Sequence, residues 1–130
     1  MTIEYLTVEE ILRLHYQVIE DFGGSHGIRD EGRLESVINA PAVYIFGKDQ
    51  YVSIYDKAAV YLRNIIKDHP FLDGNKRTGL IVCAIFLIRN KYIIKAAPEV
   101  LENFTLAVAT EHLSIDEISN WLKVNTKINC

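Results

Sequence analysis

The run Leu80-Ile81-Val82-Cys83-Ala84-Ile85-Phe86-Leu87-Ile88 limits most strongly what this chain can fold into, because it is apolar at every position. Read as a helix from about Lys76 to Asn90, it leaves no polar face, and such a helix must be covered by neighbours on nearly every side. The rest of the chain has to supply that cover. With 130 residues, 49% of them hydrophobic, there is material for one compact domain over residues 1–130. Extended to Gly79, the run is still only about half of the ~20 residues that a membrane span requires. Met1 is followed by acidic Glu4 rather than by a basic leader, so the sequence points to a protein that is neither exported nor bound to a membrane.

The covering elements are legible as amphipathic helices. Thr7 and Glu10 have capping-box spacing, and Ile11, Leu14, Val18 and Ile19 then recur at helical intervals until Gly23-Gly24. Gly27 to Gly32 reads as a turn into a short helix, Arg33 to Asn39, stopped by Pro41. Ser53 and Asp56 cap a third helix with Ile54, Ala58, Leu62, Ile65 and Ile66 inward, ending near His69-Pro70. Two more begin at Pro98, a first-turn proline, and at Ser114 with Glu117. Between residues 43 and 52, Tyr44, Ile45, Phe46, Tyr51 and Val52 surround Gly47-Lys48-Asp49, which suggests a hairpin-like flap. The expected fold class is all-α, a helical bundle around the buried fourth helix, with one small β-hairpin flap.

Composition narrows the partners. A net charge of −3 gives no general excess of positive charge to neutralise a phosphate backbone, so nucleic acid is not the expected partner. The two cysteines, Cys83 and Cys130, have neither metal-knuckle nor redox-pair spacing and fit a reducing cytoplasm.

The chemistry concentrates in His69-Pro70-Phe71-Leu72-Asp73-Gly74-Asn75-Lys76-Arg77, a loop running into the apolar helix. Taken singly, each residue has an ordinary role: a histidine at a helix end, a turn at Asp-Gly-Asn, solvated cations. Taken together they describe an anion site. Gly74 and Asn75 tolerate unusual backbone angles, so the loop can aim its N–H groups at one point before the helix starts. Lys76 and Arg77 stand where the helix dipole disfavours cations by a few tenths of a kcal/mol, and a bound polyphosphate explains their presence. Asp73 is a hard ligand for Mg²⁺ held jointly with phosphates. Histidine is the side chain whose unperturbed pKa lies near working pH, which makes His69 the candidate to take a proton from an incoming hydroxyl. His15, His26 and His112 fall outside the motif and read as structural or exposed, and Trp121 as core.

This nonapeptide resembles the Fic signature HPFxxGNxR, and the segment from Gly27 to Ile38, GIRDEGRLESVI, resembles the stretch before the flap in the Doc branch of that superfamily. The similarity in layout runs from about Leu6 to Leu122. The resemblance implies a Fic-like helical fold in which His69 is general base, Asp73 holds Mg²⁺ on ATP, and Gly74, Asn75, Lys76 and Arg77 form the anion nest. Phe71 is then an anchor in the core, Pro70 shapes the turn, and the flap docks the target by strand addition.

Two departures from AMP-transferring relatives, Lys76 for the second glycine of GNGR and Leu80 for a second arginine, resemble Doc. In that branch ATP lies reversed, so the resemblance implies a toxin that transfers phosphate from ATP to a Thr or Ser hydroxyl, with elongation factor Tu as target and translation arrested. The alternatives are an AMP transferase on the same fold, or a catalytically silent phosphate- or peptide-binding module. A zinc hydrolase would need a third protein ligand beyond His69 and Asp73. No S/T-x-x-x-E-G/N inhibitory pattern occurs in the chain, so restraint is expected from an antitoxin helix beside the His69–Arg77 loop.

Overall fold

The computed structural model describes residues 2–129, which form six α-helices and two small antiparallel sheets. Met1 and Cys130, used above in reasoning about export and cysteine spacing, lie outside the described residues. Helix α1 (Val8–Phe22) starts where the Thr7–Glu10 capping box closes and stops at Gly23. Helix α2 (Glu31–Asn39) begins two residues before the expected Arg33, because the Asp30 side chain accepts from Arg33 N–H and so caps the earlier turn. Pro41 does not simply end this helix. It continues as a 3₁₀ turn, Ala40–Ala42, a tighter helix that accepts proline near its start.

The flap is a hairpin of two-residue strands, β1 (Tyr44–Ile45) and β2 (Lys48–Asp49). Its turn is centred on Phe46-Gly47, both with positive φ (52° and 75°), and not on Gly47-Lys48-Asp49. A two-residue hairpin turn needs that mirror-image geometry to match strand twist, which moves Lys48 and Asp49 into the strand.

Helices α3 (Ile54–Asp68) and α4 (Asn75–Arg89) pack most extensively on each other, and α3 also meets α2, α5 (Pro98–Thr110) and α6 (Ile115–Asn125). The innermost helix is therefore α3, with Lys57 to Leu62 all fully buried, and not the uniformly apolar α4. On α4, Val82, Cys83, Phe86 and Leu87 are buried while Ile88 is exposed. Hydropathy missed this because the polar tips on α3 have backbone partners: Lys57 Nζ donates to Pro41 O at 3.0 Å, and Leu6 N–H donates to the Tyr61 hydroxyl at 3.2 Å. Each fully buried Leu, Ile or Phe in this layer contributes roughly 1.5–3 kcal/mol. Gly79 lets the two helices approach, since a Cβ there would lie 3.2 Å from Ile66 Cγ1 and 3.3 Å from Leu62 O.

A second sheet joins β3 (Tyr92–Ile94) to β4 (Thr126–Ile128), pairing Ile93 with Lys127. The expectation of a single extended flap is corrected here. Strands of three residues carry no readable alternation, and their pairing is set by where α4 and α6 leave the chain.

Candidate active site

The loop between α3 and α4 is shaped from below. His69 closes α3 in the left-handed conformation (φ 48°), which turns the chain sharply toward the protein interior. Phe71 follows and is buried, its ring stacked on that of buried His15 at 3.7 Å and 6°. The Asn75 side chain then clasps the turn, accepting from Phe71 N–H (3.1 Å) and donating to Phe71 O (3.0 Å). Gly74 has φ 77°, and a Cβ on it would meet Ile19 at 3.1 Å and Val18 at 3.3 Å, so α1 and the backbone angle both demand glycine.

A second strap holds the loop from the side. Leu72 N–H donates to Gly27 O, Arg29 N–H to Pro70 O, and Ile28 bridges Phe71 in antiparallel fashion. The Arg29 guanidinium donates to His69 O (2.6 Å) and Asp68 O (2.7 Å), the free carbonyls at the end of α3, where a cation also opposes the helix dipole. His15 reaches the same loop from α1, with Nε2 2.8 Å from Asp73 O, so that nitrogen carries the proton. Burial, opposed by that bond, holds its pKa below the ordinary histidine value. Sequence reasoning did not find the parts played by Arg29 and His15. Their partners lie 39 to 58 residues away in the chain, beyond any local pattern.

The first turn of α4 is uncapped: Gly74 offers no side chain, no acidic residue lies in the turn, and Lys76 and Arg77 are both exposed. Its N–H groups remain available to an anion. Asp73 has one carboxylate oxygen, Oδ2, accepting from Ser25 N–H at 2.8 Å. His69, Asp73, Asn75 and Lys76 line one cavity of about 270 Å³. Arg77 is not in it. It lies over the Phe22 ring at 4.3 Å and borders a neighbouring groove of about 500 Å³ with Gly74, Leu80, Leu101 and Leu106. Lys76 borders both. Asn75, expected among the anion-binding residues, has its side chain closed on Phe71, so only its main-chain N–H is left for a ligand. Of the other histidines, His26 lies 2.8 Å from a Glu20 carboxylate oxygen at the surface, whereas His112 lines the cavity that holds His69.

The Fic/DOC family model matches residues 5–87. The chain is 30% identical over 119 residues to the protein kinase doc of Escherichia phage P1, an alignment spanning 92% of this chain and 93% of that protein. It is 33% identical over 118 residues to the toxin Doc of Mycolicibacterium smegmatis, spanning 89% and 88%. The matched stretch takes in α1, the strap at residues 27–30 and the whole loop from His69 to Arg77, and with relatives aligned over most of their length the chain belongs to the Fic/DOC family.

Proposed function

We propose that this protein is the toxin of a toxin–antitoxin pair, transferring the terminal phosphate of ATP to a threonine or serine hydroxyl of a target protein. The observation that carries this reading is the shared cavity: His69, Asp73 and Lys76 meet beside the uncapped first turn of α4. One relative is named a protein kinase and the other a toxin, which agrees with it.

In this reading a His69 ring nitrogen takes the proton from the acceptor hydroxyl as the new oxygen–phosphorus bond forms, and ADP leaves with the electron pair of the broken bond. The α4 N–H groups with Lys76 and Arg77 hold the ADP phosphates. Mg²⁺ suits the donor set, because Asp73 is a hard carboxylate with only one oxygen bonded to the protein, Oδ2 to Ser25 N–H, and such an ion is held jointly by phosphates. When bound, it neutralises charge developing on the phosphate oxygens. Among the described residues no three His, Cys, Asp or Glu side chains gather as a metal site, so no all-protein cage competes with this arrangement.

Leu80, half-buried in the neighbouring groove, speaks for phosphate rather than AMP transfer. AMP transfer expels pyrophosphate, and an arginine at this position would stabilise that leaving group. The exposed flap, with Tyr44, Ile45 and Phe46 in solvent, suits docking of the target segment by strand addition. The apolar groove beside Arg77, lined by Leu80, Leu101 and Leu106, suits an amphipathic antitoxin helix. Elongation factor Tu is the proposed target, in the reducing cytoplasm. Among the described residues no helix is long and apolar enough to cross a membrane.

Intact-mass analysis of elongation factor Tu after incubation with the protein, ATP and Mg²⁺ tests the reading. A phosphate-sized increase with release of ADP is expected. An AMP-sized increase with pyrophosphate would move the chain to the AMP-transferring branch, and no increase with any candidate target would favour a silent binding module.

A further inference from the structure

Two helix ends border the cavity beside the signature loop, and each leads to a histidine with left-handed backbone: His69, the cap of α3 (φ 48°), and His112, one residue past the Glu111 cap of α5 (φ 52°). Glycine occupies such positions without strain, and any other side chain there carries a backbone penalty. Arg63, Lys67 and Lys76 line the same cavity against one carboxylate, Asp73, in a chain whose net charge is −3. Among the described residues none of these three cations is in an ion pair. Arg63 Nε donates to Leu113 O at 3.2 Å, which ties down the turn that carries His112. Uncompensated positive charge gathered in a cleft attracts an anion. At about 270 Å³ the cavity stands at the small end of ligand sites, a size that suits one end of a longer ligand.

We propose that Arg63, Lys67 and His112 receive the terminal phosphate of the nucleotide and set its preference for a triphosphate, as specificity-determining residues facing the α4 N-terminus. This rests on the phosphotransfer reading above. The inner phosphates lie on the first turn of α4, and the outermost extends toward His69 between the two groups of donors. Three further donors on the far wall hold the phosphate oxygens while the bond to ADP breaks, where preorganised charge is most effective.

The double variant Lys67→Gln/His112→Gly tests this in the full chain. Lys67 is exposed, and glycine relieves the left-handed strain at 112, so folding is preserved; Arg63 stays because it also holds Leu113. Equilibrium binding of ATP, ADP and AMP with Mg²⁺ is measured for wild type and variant. ATP affinity is expected to fall by about 10- to 100-fold, the worth of one charge-assisted hydrogen bond or more, with AMP affinity unchanged. Equal loss for all three nucleotides, or none for ATP, overturns the proposal. So does a raised KM for the target with unaltered nucleotide binding, which would assign the wall to an acidic group on the target. An AMP-sized adduct from the wild type would remove the phosphotransfer reading and this inference together. A phosphate-sized adduct with unchanged ATP affinity in the variant would remove only the inference.

Discussion

His69 is held in place by its main chain: Arg29 binds its carbonyl, the left-handed angle turns it, and its exposed ring has no protein hydrogen-bond partner among the described residues. Removing a ring that makes no protein hydrogen bond leaves the loop's own contacts in place. His69→Ala should therefore keep the wild-type melting temperature while transfer falls by roughly 10²- to 10⁴-fold. Single-turnover transfer beside a thermal melt checks both halves; an unaltered rate in a folded variant would take His69 out of the mechanism. Asn75 shows the opposite arrangement. The resemblance placed it in the anion nest, and its side chain is closed on Phe71 as a loop clasp, which leaves its main-chain N–H for that role.

Arg29 links elements that the chain keeps far apart, since its guanidinium closes the C-terminal end of α3 while its own segment straps the loop leading to α4. Arg29→Met should preserve the aliphatic stem, strip His69 O of its guanidinium donor and leave Asp68 O with only the longer bond from Arg33 Nη1 at 3.4 Å. The expected loss is about 1–2 kcal/mol in urea unfolding, the range for a charge-assisted bond discounted for solvent exposure. Amide exchange over residues 69–74 should quicken, and transfer should drop although Arg29 does not line the cavity that holds His69. Unchanged exchange in that loop would detach Arg29 from its positioning. The helices themselves were legible because their caps are local. Thr7 with Glu10 and Ser114 with Glu117 each close within one turn, and the structure has both capping boxes. The sheet β3–β4 was not, since it joins residues more than thirty positions apart.

Across the whole molecule, one ion pair ties the first turn of α1 to the last turn of α4, joining Glu10 to Arg89. Chiefly through the hydrogen bond from Arg89, and next through the Thr7 backbone, the Glu10 carboxyl is held down to about 2 from its usual 4.5. A depressed carboxylate contributes stability above its unfolded pKa and loses it as pH falls through the folded value. Stability should thus decline between about pH 4.5 and about pH 2, and Glu10→Gln should flatten that part of a melting-temperature profile while lowering stability at pH 7. A variant whose acid profile matches the wild type would show that other carboxylates govern the decline.

The sequence by itself determined the capped starts of α1, α3 and α6, the all-α class with its flap, and the contiguous loop His69–Arg77 that falls within the family match. These follow from short-range physics: caps close over three residues, apolar periodicity over one or two turns, and the signature residues are contiguous. Tertiary structure alone decided that α3 rather than α4 lies innermost, because the cost of burying Lys57 and Tyr61 depends on whether Pro41 O and Leu6 N–H come within reach. It also decided that Arg77 turns away from the cavity onto Phe22, and that His112 enters it. Residues 77 and 112 belong to different helix ends, and which of them shares the cavity with His69 is set by how α1, α4 and α5 pack rather than by any spacing along the chain.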